Sequence, residues 1–194
     1  MSKKKKKGFN RKAFLFALAA VLLIGCSVGG TLAWLTAETD AVKNTFTVGD
    51  INITLAETER EYKMVPGCTI DKDPKVTVKA GSEACWLFVK IEESENLDDF
   101  ITYTVVTGEN GWTALEGVDG VYYRKVEAVT ADTGFDILAD NQVTVKDTVT
   151  KKMMGELTEN TQPTLTFTAY ACQLYKSNGV EFTAAEAWAT VPKS

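Results

Sequence analysis

The run that decides the fold class is CWLFVKI, residues 85–91. A strand with one face in water alternates apolar and polar residues, whereas this run is apolar at both alternating sets of positions. The pattern therefore predicts a central strand that is covered on both sides. It is the leading candidate for the hydrophobic core of the domain.

Short segments with strand patterning lie on either side of this run, and glycines separate several of them. The predicted strands are residues 44–55, 76–78, 101–106, 121–128, 135–138, 142–146 and 164–174. Helical patterning is limited to residues 149–157 and to a short helix that Thr183 and Glu186 would open as a capping box. Many short strands with one or two short helices predict an all-β fold, a jelly-roll-like antiparallel β-sandwich.

The first predicted strand changes its alternation at residues 49–50. Phe46 and Val48 share one face, whereas Ile51 and Ile53 share the other. A shift of one residue moves side chains to the opposite face of a sheet, so a bulge or bend is expected here. Two short strands joined by a turn fit the same pattern.

Residues 1–33 are organised as an export signal and predict a signal-peptide helix ahead of the domain. The basic stretch 3–12 contains all seven Lys and Arg residues of this segment. Twelve apolar residues, 13–24, follow it, which is the length of a signal-peptide h-region. The sequence therefore predicts a secreted or cell-surface protein, located outside the cytoplasm.

The end of this segment fits a cleavage site. Thr31 and Ala33 place small side chains at the −3 and −1 positions, so a signal peptidase would cut before Trp34. The signal peptide then covers residues 1–33, and a single β-sandwich domain covers residues 34–194. The signal peptidase is the partner that this reading implies during export.

Two alternatives to cleavage after Ala33 remain open. Cys26 ends the sequence Leu-Ile-Gly-Cys, which fits a lipidation motif and would anchor the protein through a lipid. Residues 13–35 are 23 residues without a charge, long enough to span a bilayer if they are not cut. In each case the membrane contact would come only from the signal segment or from a lipid on Cys26.

Charge and composition exclude several functional classes. Residues 34–194 carry 14 basic and 26 acidic side chains, a net charge of −12, which argues against a nucleic-acid partner. The chain has no histidine, so Ser-His-Asp catalysis and zinc sites of the HExxH type are excluded. The acidic stretch 92–99 does not have the spacing of an EF-hand loop and predicts a solvated turn. No catalytic residue, metal ligand or cofactor is assigned.

The domain has three cysteines, Cys68, Cys85 and Cys172, so at most one disulfide can form within it. A hairpin between residues 76–78 and 85–91 would hold Cys68 too far from Cys85 for a disulfide. A bond between Cys85 and Cys172 requires neighbouring strands, which the sequence does not establish. Three free thiols are the remaining alternative.

Several stretches resemble the TasA/camelysin family, which comprises exported proteins of Gram-positive bacteria with a SipW-type signal. They are the junction GGTLAWLT (29–36) with NTFTVG (44–49), the turn YKMVPG (62–67) with the strand VTV (76–78), and TFTAYA (166–171). The junction is the most specific of these stretches. Thr31-Leu32-Ala33 matches the cleavage site of the family, and Trp34 matches the start of its mature chain.

The resemblance implies a jelly-roll sandwich and secretion to the cell surface or the biofilm matrix. Fibre-forming members add a freed N-terminal strand to the neighbouring subunit, a form of β-augmentation. Carried over, the donor strand would be residues 34–48, with Trp34, Phe46 and Val48 filling a groove, and the partner would be a second copy of the chain in an oligomer or fibre. This chain is shorter than such members.

Three functions follow as expectations. The first is a non-enzymatic structural protein that assembles through its N-terminal strand. The second is a monomeric surface binding module, lipid-anchored through Cys26, which an exposed aromatic patch including Trp112 would favour. The third, a secreted metallopeptidase by analogy with some camelysin relatives, is the least supported, because the chain has no histidine to bind the metal.

Overall fold

The computed structural model describes residues 34–36, 51–58, 61–177 and 179–192, and for 34–36 it describes the backbone. The chain divides into two units, Met1–Ala33 and Trp34–Ser194, and the described residues lie in the second. The following predicted features fall outside them: the signal helix, Cys26, Thr31, Ala33, Phe46, Val48 and the change of alternation at residues 49–50. Within the described ranges, no helix has the length and apolar character needed to cross a membrane.

The described chain is mostly β-structure with short helices. Its strands are β1 Trp34–Thr36, β2 Ile53–Ala56, β3 Glu61–Lys63, β4 Thr69–Asp71, β5 Lys75–Val78, β6 Cys85–Glu93, β7 Ile101–Val105, β8 Thr113–Ala114, β9 Val121–Val126, β10 Thr133–Asp136, β11 Leu138–Val145 and β12 Leu165–Gln173. Its helices are α1 Leu97–Phe100, α2 Lys151–Gly155 and α3 Ala184–Thr190.

All strand pairs are antiparallel. The sheets have the orders β12-β6-β9-β8, β10-β5-β2, β4-β11-β7 and β1-β3. One main core is shared by Leu87 on β6, Val76 on β5 and Val143 on β11, so the four-stranded sheet faces the two three-stranded sheets across it. The predicted class, an antiparallel β-sandwich with short helices, is confirmed.

Strand β6 is central and covered on both faces, as its composition predicts. It pairs along its whole length with β12 and over six residues with β9. Leu87 and Val89 point into the main core, whereas Phe88 belongs to a second cluster on the outer face of the sheet. We call that second cluster the outer core.

Helix α3 covers the outer core. Trp188 on this helix packs against Phe88, with ring centroids 5.3 Å apart, and meets Tyr170 edge-on at 5.4 Å. The helix begins at the predicted capping box, in which Thr183 and Glu186 exchange side-chain and backbone hydrogen bonds. An amphipathic helix thus turns a face that would otherwise meet water into a second apolar interface.

Two details differ from what the sequence indicates. Strand β5 pairs with β2 and β10 rather than with β6, so residues 76–78 and 85–91 do not form a hairpin. The short helix α1 was not expected, because four residues are too few to show a helical period. Helix α2 is confirmed but is shorter than residues 149–157.

Candidate functional site

The N-terminal strand is paired inside its own chain. Strand β1 runs antiparallel to β3, with Trp34 opposite Lys63, Leu35 opposite Tyr62 and Thr36 opposite Glu61. This pairing involves the start of the predicted donor segment, and it is made by the backbone. The ladder is the candidate functional site.

Strand β3 is the acceptor in this pair. Its alternation is regular: Tyr62 and Met64 are buried in the main core, and Lys63 between them is exposed. Among the described residues, β1 is the one strand that pairs with β3. Backbone N–H and C=O groups at such an edge bind an added strand whatever its side chains are, so β3 suits strand addition.

The acceptor lies in a long connection between β2 and β5. The β2–β5 ladder ends at the pair Ala56–Lys75, and the chain leaves it as residues 57–74, which we call the acceptor segment. This segment carries β3 and then β4, and β4 pairs with the edge of β11. The segment is therefore tied to one sheet at its base and to another through β4.

Two side-chain pairs close the base of the acceptor segment. Glu57 Oε1 accepts hydrogen bonds from Lys72 Nζ at 2.5 Å and from Tyr62 Oη at 3.1 Å. Thr58 donates to Asp73 from its backbone N at 2.9 Å and from Oγ1 at 2.5 Å. The pKa of the Asp73 carboxyl is lowered, mainly because the Thr58 hydroxyl donates a hydrogen bond to it.

A type II turn forms the far end of the acceptor segment, as Pro66 followed by Gly67 predicts. Gly67 has a φ of 73°, and Cys68 N donates to Val65 O at 3.0 Å. Backbone bonds then join the turn to β11: Gly67 N donates to Val145 O at 3.0 Å, and Val145 N donates to Cys68 O at 2.9 Å. The acceptor segment is thus held at both ends.

A polar cleft of about 330 Å³ lies beside the base of this segment. Its lining is Thr58, Asp71, Asp73, Asp140 and Asn141. Over the residues that the structure describes, no three Asp, Glu or Cys side chains come together as metal ligands. The cleft is acidic, but two of its carboxylates already accept hydrogen bonds, Asp73 from Thr58 and Asp71 from Gln142.

The other predicted residues lie apart from this site. Cys68 is exposed, Cys85 and Cys172 are buried, and all three are free thiols. The carboxylates Glu92, Glu93 and Glu95 are exposed, but residues 92–99 are not one turn: Glu92 and Glu93 end strand β6, and helix α1 begins at Leu97.

Trp112 does not form the exposed patch that would favour a binding module. It is 1% exposed in the main core, and its indole N–H donates to Asp136 O at 2.8 Å. The exposed large apolar side chains that the structure describes are Val65, Tyr175 and Val180. A few exposed apolar side chains of this kind are normal on a protein surface.

The acceptor strand was not predicted from the sequence. Residues 57–63 are rich in charge, a composition that is typical of a loop. The alternation of Tyr62 and Met64 around Lys63 is a strand signal, but three residues are too few to outweigh the composition of the segment.

The chain was compared with models of known protein families, with curated proteins and with solved structures, and none of the three comparisons finds a match.

Proposed function

We propose that this chain is an exported, non-enzymatic structural protein of the cell surface or biofilm matrix that assembles by exchanging its N-terminal strand. A signal peptidase would cut after Ala33 and leave β1 at the new N-terminus. The supporting observation is the antiparallel pairing of β1 with β3. Within one chain this pairing closes the site, and between chains the same pairing links two copies.

Exchange of β1 between copies replaces each backbone hydrogen bond by an equivalent one. The difference in free energy between closed and linked forms is therefore small, as in domain swapping. Among the described strands β1 pairs with β3 alone, so opening this pair leaves the other described ladders in place. A protein with this arrangement can be stored as a closed monomer and linked when its concentration rises.

Charge sets a second condition on assembly. Residues 34–194 carry a net charge of −12, so copies repel one another at low ionic strength. Added salt screens this repulsion over a Debye length of roughly 10 Å at 0.1 M. Assembly is therefore expected to be faster at physiological salt than in dilute buffer.

A reversible lock on the β1–β3 ladder tests the proposal. Thr36 and Glu61 are register partners, and directly opposed residues of antiparallel strands have Cα atoms about 4.5–5.5 Å apart, within disulfide range. The exported chain with Thr36→Cys and Glu61→Cys, in a Cys68→Ser background, is followed by light scattering and electron microscopy. The oxidised chain should stay monomeric, and a reductant should restore assembly.

The control places the same lock on a ladder that exchange does not involve. Thr54 and Thr77 are register partners on β2 and β5. The oxidised Thr54→Cys/Thr77→Cys chain should assemble at the rate of the unlocked protein. Equal assembly of the oxidised and reduced Thr36→Cys/Glu61→Cys chains would show that strand exchange is wrong.

A monomeric surface module is the second candidate, and the closed β1–β3 pairing favours it. In that case β1 completes its own domain permanently, and neither lock changes the oligomeric state. The unlocked exported chain would then remain monomeric at every concentration and salt tested by sedimentation. Its intact mass separates a chain that begins at Trp34 from one that begins at a lipid-modified Cys26.

A further inference from the structure

Glu57, Tyr62 and Lys72 form a buried polar cluster behind the acceptor strand. The side chains of Lys72 and Glu57 are 4% and 9% exposed, and their charged atoms are 2.5 Å apart. The hydroxyl of Tyr62 donates to the same carboxylate oxygen at 3.1 Å. One carboxylate therefore connects an ammonium group on one side to the middle residue of β3 on the other.

The ammonium group of Lys72 is itself held in place. It lies over the ring of Tyr62 at 5.2 Å and over the ring of Phe167 at 5.5 Å. The backbone N of Lys72 donates to Asn141 O at 2.7 Å, beside the β4–β11 ladder. Lys72 thus joins the acceptor segment to the core strand β12 and to the strand β11.

Stability alone does not account for an ion pair at this depth. Removing two charges from water costs about as much as their attraction returns, and apolar replacements are often neutral or stabilising. A buried pair does fix geometry, because its hydrogen bonds have strict directions. Here the hydrogen bond to Glu57 fixes the orientation of the Tyr62 side chain. Among the described residues, β3 has no second strand beside it, apart from β1.

We infer that Glu57 and Lys72 are positioning residues that hold Tyr62, and through it β3, in the extended form that accepts the N-terminal strand. We call the three residues the acceptor latch. Tyr62 is the register partner of Leu35, so the latch acts on the centre of the ladder. This inference deepens the proposed function and rests on it for the role of β3, but the latch itself is a property of one chain.

Hydrogen–deuterium exchange on the monomeric exported chain tests the latch without requiring assembly. Tyr62→Phe removes one hydroxyl, keeps the buried ring and leaves the Glu57–Lys72 pair intact. The loss of one hydrogen bond to a charged group should raise the exchange rate of the amides in residues 61–63 about tenfold. Exchange in the central strand β6 should stay unchanged.

Tyr103→Phe is the matched control. The hydroxyl of Tyr103 donates to Glu93, a second Tyr–Glu hydrogen bond, on strand β7 and away from the acceptor. This variant should leave exchange in residues 61–63 at the rate of the unmodified chain. Equal protection of residues 61–63 in the Tyr62→Phe and Tyr103→Phe chains would overturn the inference.

A second variant tests the ion pair without leaving a buried charge alone. Glu57→Leu combined with Lys72→Met removes both charges and the oxygen that accepts from the Tyr62 hydroxyl, and it should raise hydrogen–deuterium exchange in residues 61–63 at least as much as Tyr62→Phe does. Unchanged exchange in this variant would also overturn the latch. If the unmodified chain does not assemble, the proposed strand exchange between copies is refuted, but the hydrogen–deuterium exchange result for residues 61–63 still stands. The two failures are therefore distinguishable.

Discussion

Cys85 and Cys172 lie one register step apart on paired strands, yet their side chains occupy opposite faces of the sheet. Cys85 is opposite Gln173 on β12, and Cys172 is opposite Trp86 on β6. Cys85 belongs to the main core and Cys172 to the outer core. The strands are neighbours, as the disulfide alternative requires, but the sheet itself separates the two thiols.

The three thiols should differ in reactivity. Burial raises the pKa of Cys85 to about 12 and also raises the pKa of Cys172, so neither forms the reactive thiolate at neutral pH. Cys68 is exposed. In a titration of the exported chain with a chromogenic disulfide at pH 8, one thiol should react fast. The other two should react only after the chain is unfolded. Cys68→Ser should abolish the fast phase, and two fast thiols in the native chain would contradict the fold.

Both faces of β6 should contribute to stability. Leu87→Ala in the main core and Phe88→Ala in the outer core each remove a fully buried side chain. Each should lower the free energy of unfolding by about 3–5 kcal/mol, measured by urea titration. The exposed Val65→Ala should change it by less than about 0.5 kcal/mol. A small loss for Phe88→Ala alone would mean that the outer core is not packed.

Acid should weaken the base of the acceptor segment. Hydrogen bonds from Thr58 lower the pKa of Asp73 below its usual 3.8, so this carboxylate stabilises the fold above about pH 4. The contribution is lost as the pH falls through the lowered pKa. Thr58→Val should therefore be less stable than the unmodified chain at pH 7, and the difference should shrink as the pH falls below about 4. A difference in unfolding free energy that does not depend on pH would contradict this assignment.

The cap of α3 should stabilise the outer core. Thr183→Ala removes the side chain that accepts from Glu186 N, and it should cost about 1 kcal/mol in thermal or urea unfolding. Thr183→Ser keeps the hydroxyl and should retain most of the stability that Thr183→Ala loses. Equal stability of the alanine and serine variants would show that the cap does not contribute.

The parts of the fold that the sequence predicts are those with a strong local pattern. Residues 85–91 are apolar at every position but Lys90, so a strand buried on both faces is the natural reading. Thr183 and Glu186 have the spacing of a capping box, and the helix begins there.

The parts that were missed depend on contacts distant in sequence. Strand β3 is formed by pairing with β1, more than twenty residues earlier, and no local pattern indicates that partner. Strand β11 includes Asp140 and Asn141 at positive φ, where its register against β7 shifts, so the sequence predicts only its second half, as residues 142–146. The partner of β5 was mistaken because nearness along the chain favours a hairpin with β6.

The outer core also limits how copies can meet. Fibrils of the cross-β type hold paired sheets face to face, with their side chains interdigitated in a dry seam. On the outer side of β12-β6-β9-β8 that seam is already filled by helix α3, within a single molecule. A second sheet cannot stack on that face unless the helix leaves, so chains that keep this fold cannot use the outer face of this sheet for a cross-β seam.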